Sequence, residues 1–463
     1  TVPDLRACLP AAEVLSGGVV ALPGFRDAHV HLLGFATARD VVDCSPAASP
    51  DIAALVARIA AAARVAAPGS WIRAGGYDHR LLAERRHPNR DELDRAAPDR
   101  PVVLRHRTGH AVVLNTAALH RLGIDETTAD PPGGWLGRDV NGRLTGLVVD
   151  GDAMLRARGL PRRTAEELDR LVDAASDALA AAGVTWICDA GPRNDAETFA
   201  TLDDLARHGR LRQRWAMLEG FPAFAAGNTL DGRLAGVKLV VGTGGGRIQP
   251  AGSELLAMLE RVHLGGRVAA VHAVDEGSLA VVLDAFAQVF ARHGRGVLRH
   301  RIEHASVCPP ELARWIAELG LTVVTQPGFV YAHGDRYLAS HDLVPDWLYP
   351  VRSLLDAGTP VVGSSDIPAG PLEPLIGIAA AVNRRTAARR VLGSEHAVDL
   401  GRALDLYTVA PAACGGGAGT LQPGDVGDVV VLDADPFSVP ATELGQIAVR
   451  GIVVNGAAWY GAS

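Results

Sequence analysis

Pro23-Gly24-Phe25-Arg26-Asp27-Ala28-His29-Val30-His31 is a short stretch that predicts a buried strand ending in two histidines. The first of eight strand-like runs begins in this stretch. The runs cover residues 24–32, 184–189, 214–220, 237–241, 268–273, 299–305, 321–326 and 360–366. Helical stretches with capping signals separate several of these runs, as at Thr164-Ala165-Glu166-Glu167. Nearly continuous apolar strands that alternate with helices indicate parallel pairing, with both sheet faces buried. The pattern therefore predicts an α/β fold with a (β/α)8 barrel of the TIM type.

Two regions of the chain do not follow this repeat. Residues 36–160 form a long insertion after the first strand, and residues 415–463 alternate short β runs with turns. We expect the terminal residues 1–22 and 415–463 to form a small β-sandwich-like module. The barrel then occupies residues 23–414, and we expect the insertion to cover the active-site mouth, because barrel active sites lie at the loops after the strands.

Composition excludes several classes of protein. The 463 residues carry a net charge of −7, so we expect no attraction to nucleic acid or to acidic membranes. No apolar stretch reaches the roughly 18 residues of a membrane span, and the first residues lack the features of a signal peptide. The 5 cysteines are dispersed without a C-x-x-C motif, which favours a reducing, cytoplasmic location. The chain begins without Met, which predicts a processed N-terminus, and homo-oligomerisation stays open.

Lys238 is the only lysine among the 45 Lys and Arg residues. It lies in an apolar run, Gly236-Val237-Lys238-Leu239-Val240-Val241. A buried lysine can lose its proton and react as an amine, whereas arginine stays charged. Either this position needs amine chemistry, or the lysine is a chance survivor that pairs with a buried carboxylate.

Residues that commonly bind metals stand at the ends of several predicted strands. His29 and His31 are two apart on a strand and therefore point to the same side. In a barrel, the carboxyl ends of the strands form the active site. Further donors and one potential bridging group end other strands: Lys238, His272, His304 and Asp366. This set suits a zinc or other transition-metal site, although two surface histidines would give the same H-x-H spacing.

Several motifs together carry a family resemblance. They are residues 23–31, 301–305, 350–358, 363–366 and 427–436, and within the insertion 75–78, 90–94 and 109–115. On these stretches the chain resembles the amidohydrolase superfamily, specifically its amidohydrolase-3 (YtcJ-like) branch. The glycine-rich stretch 242–247 departs from that branch, and it lacks the Lys-Ser/Thr of a phosphate loop.

The resemblance implies a metal-dependent hydrolase that cleaves an amide-type C–N bond of a small molecule. His29 and His31 would bind one metal above Asp366, and His272 and His304 would bind a second. Carbamylated Lys238, an N6-carboxylysine formed with carbon dioxide, would bridge the two. The cofactor would be two zinc ions, with manganese or iron as alternatives. A metal-bridging hydroxide would attack the substrate, and Asp366 would shuttle the proton.

Other residues are candidates for contact with substrate: Tyr77, Asp78, His110, Gln326 and Arg247. A structural role is open for each of them, and we expect His300 to be a core residue and Asp189 to bind loop amides. One alternative function is a mononuclear deaminase of a nitrogen heterocycle, which would use His29, His31, His272 and Asp366 without a carbamate. A non-catalytic binding protein is a second alternative, against which the intact ligand set argues.

Overall fold

The computed structural model describes residues 20–131, 133–227, 232–244, 247–339 and 346–459. The chain divides into two compact units. One comprises residues 1–35 and 172–463, and the other comprises residues 36–171. We refer to them as the barrel unit and the insertion unit.

Eight parallel strands form the main sheet of the barrel unit, and they neighbour one another in chain order. They are Phe25–Val30, Val184–Asp189, Arg214–Gly220, Leu234–Val240, Ala269–Ala273, Arg301–His304, Thr322–Thr325 and Val361–Gly363. Beyond the end of the eighth strand, the Asp366 amide donates to the carbonyl of His29 in the first strand at 2.9 Å. This nearly closed barrel confirms the predicted fold class, and each of the eight predicted runs overlaps one strand.

Helices and turns lie between the barrel strands and after the last of them. The helices are Leu32–Ala38, Ala165–Ala181, Ala196–Arg207, Phe221–Ala225, Gly252–Leu264, Glu276–His293, Pro310–Leu319, Gly328–Ala339, Val351–Asp356, Pro374–Asn383 and Leu400–Asp405, with 3-10 turns at Ser394–His396, Ala410–Cys414 and Leu444–Gln446. Sequence signals set their ends: Asp275 caps a helix by accepting from the Ser278 amide at 2.9 Å, and Gly320 ends another in the left-handed conformation. Within the described ranges, no helix has the length and apolar character to cross a membrane.

A second sheet in this unit joins the two ends of the chain. Its antiparallel strands are, in order, Val20–Pro23, Val429–Leu432, Val449–Val454 and Ala457–Trp459. Val430 and Leu432 are fully buried in the same hydrophobic cluster as the barrel strands, which anchors the sheet. Residues 1–19 of the predicted module lie outside the described residues. A short hairpin of Gly242–Gly244 and Arg247–Gln249 follows the fourth barrel strand.

The insertion unit has its own mixed sheet and its own buried clusters. In sheet order the strands are Val42–Asp43, Ile72–Tyr77, Val102–His106, Ala111–Leu114, Leu144–Val149 and Trp135–Arg138. The helices are Ile52–Val65, Arg90–Ala96, Thr116–Arg121 and Asp152–Ala157. Asp51 caps the first helix by accepting from the Ala54 amide at 2.7 Å.

Four cysteines are buried free thiols: Cys44, Cys188, Cys308 and Cys414. Burial raises the pKa of the Cys188 thiol to about 12, so this group stays protonated and unreactive at neutral pH. The fifth cysteine, Cys8, lies outside the described residues.

Candidate metal centre

His29 and His31 project to the same side at the end of the first barrel strand. His29 Nε2 lies 3.6 Å from Asp366 Oδ1, and His31 Nε2 lies 3.3 Å from the same oxygen. Ligand atoms of the three residues all lie within 4.8 Å of one another. Two imidazoles and a carboxylate in this arrangement can hold a divalent transition metal.

Three further predicted ligands adjoin this group. The Lys238 amine lies 3.5 Å from His29 Nε2. The ring of His304 lies 4.9 Å from that of His29 and 4.4 Å from that of His272, between centroids. The structure thus brings all six side chains into one continuous cluster at the carboxyl ends of five strands.

Two of the ligands have a backbone conformation that non-glycine residues rarely adopt. The φ angles of His304 and Asp366 are +77° and +56°. Such conformations cost about 1–3 kcal/mol each and occur often at functional sites. These conformations persist because hydrogen bonds fix the backbone at both residues. The amide of Ala305, which follows His304, donates to the Ala273 carbonyl, and the amide of Asp366 donates to the His29 carbonyl, both at 2.9 Å. The strand ends therefore turn sharply and direct these two side chains toward the cluster.

Glu303 orients His29, a role that the sequence reasoning missed. Its carboxylate is fully buried and contacts His29 Nδ1 directly. It also accepts from Nε and Nη2 of the buried Arg301, the latter at 3.0 Å. A carboxylate at Nδ1 holds that nitrogen protonated and leaves Nε2 free to bind a metal. The available signal was Arg301-Ile302-Glu303, two opposite charges on one side of a buried strand.

Gln326 lies behind His304. Its Oε1 is 2.8 Å from His304 Nδ1, and its Nε2 donates to Ser364 Oγ at 2.9 Å. Because the side chain is fully buried and both ends of its amide are occupied, this geometry does not support the predicted substrate contact. The geometry favours a positioning role, since Oε1 can accept the Nδ1 proton of His304.

Burial favours the neutral form of three histidines of the cluster, His29, His272 and His304. It is the largest cause lowering the pKa of His29 to about 3 and of His272 to about 2, and it also lowers that of His304. Burial likewise lowers the pKa of the Lys238 amine. Burial alone would raise the pKa of Asp366, but its histidine neighbours outweigh that effect and lower it. The side chains thus favour the protonation states that metal binding requires.

The remaining candidates of the barrel unit have other surroundings. Arg247 is exposed on the hairpin after the fourth strand. His300 is buried, accepts from the Ala269 amide at 2.9 Å and stacks on Phe290, which confirms it as a core residue. Asp189 accepts from the Leu32 amide at 2.8 Å and from the Gly191 amide at 3.1 Å, which confirms its predicted contacts with loop amides.

The other candidates belong to the insertion unit. Tyr77 is fully buried, and its hydroxyl lies 2.8 Å from His87 Nδ1. Asp78 is buried beside His106 and Arg107, at 3.8 and 3.7 Å. His110 is exposed and pairs with Asp150 at 2.7 Å, as expected for a surface histidine.

The chain is similar to known proteins over nearly its whole length. A family model described as "Amidohydrolase family" matches residues 15–460. An N-substituted formamide deformylase of Arthrobacter pascens is 29% identical over 496 residues, covering 98% of this chain and 91% of that protein. The YtcJ protein of Bacillus subtilis (strain 168) is 27% identical over 490 residues, covering 97% of this chain and 90% of that protein. The crystal structure of an uncharacterized metal-dependent hydrolase of Pyrococcus horikoshii OT3 shares the fold, with a TM-score of 0.74 and 24% identity. The match covers 95% of this chain and 91% of that one.

Proposed function

The chain belongs to the amidohydrolase family and is a hydrolase acting on carbon–nitrogen bonds, and we propose that it uses two divalent metals bridged by a carbamylated Lys238. The observation that carries the proposal is the contact of 3.5 Å between the buried Lys238 amine and His29 Nε2. Burial favours the neutral amine. A neutral amine adds carbon dioxide by forming an N–C bond and releasing a proton, and the resulting carbamate has two oxygens. Arginine offers no such chemistry.

The donor set fits two ions. His29, His31 and Asp366 would hold one, His272 and His304 the other, and the Lys238 carbamate would contact both. When bound, divalent zinc, manganese or iron supplies Lewis acidity, which polarises a carbonyl and activates water. Asp366 accepts the proton of the attacking water and passes it to the leaving nitrogen. Its lowered pKa keeps it ionised before the reaction.

Small amides are the substrates that we propose to test first. One relative is named as acting on N-substituted formamides, at 29% identity over 98% of this chain. We therefore include such formamides in the first panel, together with acylated amino acids. Arg247 remains our proposed contact for a substrate carboxylate, since it is an exposed cation in the loop after the strand that carries Lys238. The cytoplasmic location also remains a prediction.

Metal analysis combined with native mass spectrometry tests the centre. We expect about two metals per barrel site, as in two-metal hydrolases, and a carbon dioxide adduct on Lys238. One metal in the barrel with a free amine would favour the mononuclear deaminase. A barrel site without metal after growth with zinc, manganese or iron would contradict the proposal.

Substitution of Lys238 tests the carbamate directly. Lys238→Arg should lose the metal pair and nearly all hydrolysis of the amide panel. Lys238→Ala should lose activity but recover part of it with short-chain carboxylates, which can replace the bridging oxygens. A fully active Lys238→Arg enzyme would refute the bridge.

A further inference from the structure

A cluster of histidines surrounds one carboxylate in the insertion unit. Asp78 and His79 directly follow the strand Ile72–Tyr77, and His106 is the last residue of the strand Val102–His106. These strands are parallel neighbours, with Tyr77 opposite His106. The carboxyl ends of parallel strands meet at one sheet edge, so residues far apart in sequence come together here.

The spacing of the cluster matches a coordination shell. His79 Nδ1 lies 3.2 Å from His106 Nε2, which lies 3.8 Å from Asp78 Oδ1. Ligand atoms of all three residues lie within 4.8 Å of one another. Zinc bonds of about 2.0–2.1 Å in a tetrahedron separate neighbouring ligand atoms by about 3.3 Å. Small side-chain adjustments would therefore satisfy the geometry.

We propose that Asp78, His79 and His106 form an additional zinc-type metal site in the insertion unit. Two imidazole nitrogens and one carboxylate oxygen favour zinc or a similar transition metal over magnesium or calcium, which prefer oxygen ligands alone. Three protein ligands leave a fourth position for water or for a small ligand, as in sites that are not purely structural.

Neighbouring groups hold these ligands in place. His87 stacks on His79 with ring centroids 4.0 Å apart, and the Tyr77 hydroxyl lies 2.8 Å from His87 Nδ1. Arg107 Nε lies 3.7 Å from Asp78 Oδ2, while Asp78 Oδ1 is the oxygen nearer His106. Burial lowers the pKa of His106, which favours the neutral form that binds metals. The competing explanation is a hydrogen-bonded histidine network without a metal.

Counting zinc in the full chain decides between a metal site and a hydrogen-bonded histidine network without a metal. The double variant His29→Ala/His31→Ala removes two ligands of the barrel centre and serves as the background. We expect adding His79→Ala to that background to remove about one zinc per chain. Adding His120→Ala, which changes an exposed histidine of the same unit, should remove none. Equal zinc content with and without His79→Ala would overturn the proposal.

A second measurement guards against misfolding. Asp78→Asn keeps the size of the side chain, and its circular dichroism and thermal melting in chelator report whether it is folded. Added zinc should raise the melting temperature of the background protein by more than that of the folded Asp78→Asn variant, which keeps the same residual barrel ligands. An equal zinc-induced shift in both would overturn the site, even if His79→Ala failed to fold. Because every protein compared carries the same barrel substitutions, a difference between them reports on the insertion unit and does not depend on the proposed function.

Discussion

Replacing Glu303 with glutamine should weaken both metal binding and folding. Each observed neighbour of the carboxylate is a donor: Arg301 Nε and Nη2, and His29 Nδ1. Burial would raise the pKa of Glu303, but Arg301 and His29 outweigh it and lower that pKa well below its ordinary value. A glutamine side chain has one acceptor and one donor end. Whichever way it is placed, its NH2 group faces another donor.

The structure sets the size of both effects. Arg301 is 2% exposed as a side chain and Glu303 is fully buried, so Arg301 would lose a desolvated partner. Breaking a buried pair costs about 3–5 kcal/mol, and glutamine should fall near the lower end because one acceptor remains. Loss of the group that orients a metal-binding histidine lowers affinity about 10–100-fold.

Two assays measure these effects separately. Urea unfolding of the metal-free protein gives the stability, and competition with a chelator gives the metal affinity. Glu260→Gln is the matched control, because Glu260 pairs with Arg292 at 2.8 Å on the surface, where solvent screens the pair and its loss should change stability little. If Glu303→Gln matched the control in both assays, our assignment of Glu303 to the orientation of His29 would be wrong.

Three further substitutions test other parts of the barrel unit. Gly236→Ala should lower the free energy of unfolding in urea by about 1–3 kcal/mol, because its φ is +150° and a Cβ would lie 2.5 Å from the Val268 carbonyl; an unchanged midpoint would contradict this. Burial lowers the pKa of His300 to about 4, so the unfolded chain takes up a proton that the folded chain excludes as pH falls through 6.5 toward 4. From pH 7 to 5 the free energy of unfolding of the wild type should therefore fall by about 1–2 kcal/mol more than that of His300→Phe. Urea unfolding at each pH measures both, and an equal fall in the two proteins would refute the prediction. Gln326→Leu should weaken metal binding roughly tenfold in a chelator competition, since it removes the acceptor at His304 Nδ1; unchanged affinity would exclude that role.

Strand positions could be predicted closely, because buried parallel strands leave a strong apolar signal. The runs predicted at 184–189 and 214–220 coincide with observed strands. The run predicted at 360–366 is a strand only over Val361–Gly363. The chain leaves the sheet before Asp366, whose φ of +56° is incompatible with an extended strand. The deviation thus occurs where a ligand must turn toward the site.

The residues that support the site were harder to predict than its ligands. Ligands stand at strand ends, and a barrel brings those ends together whatever the detailed register. Gln326 acts across neighbouring strands on His304. His106, a proposed ligand in the insertion unit, also escaped prediction, because it comes beside Asp78 only through the register of two parallel strands. Sequence spacing carries neither relation, so both depend on the three-dimensional structure.

Arg301 and Lys238, two buried basic residues of the barrel, differ in their surroundings, and the difference bears on the retention of one lysine among so many arginines. Arg301 is held by both oxygens of Glu303, an arrangement that suits a planar, permanently charged guanidinium. Lys238 contacts the imidazole of His29, and the carboxylate of Glu303 is already occupied by Arg301 and His29. A chance survivor paired with a buried carboxylate would have had the surroundings of Arg301. The surroundings of Lys238 favour a neutral amine, which arginine cannot provide, and they are the reason for assigning reactive chemistry to this position.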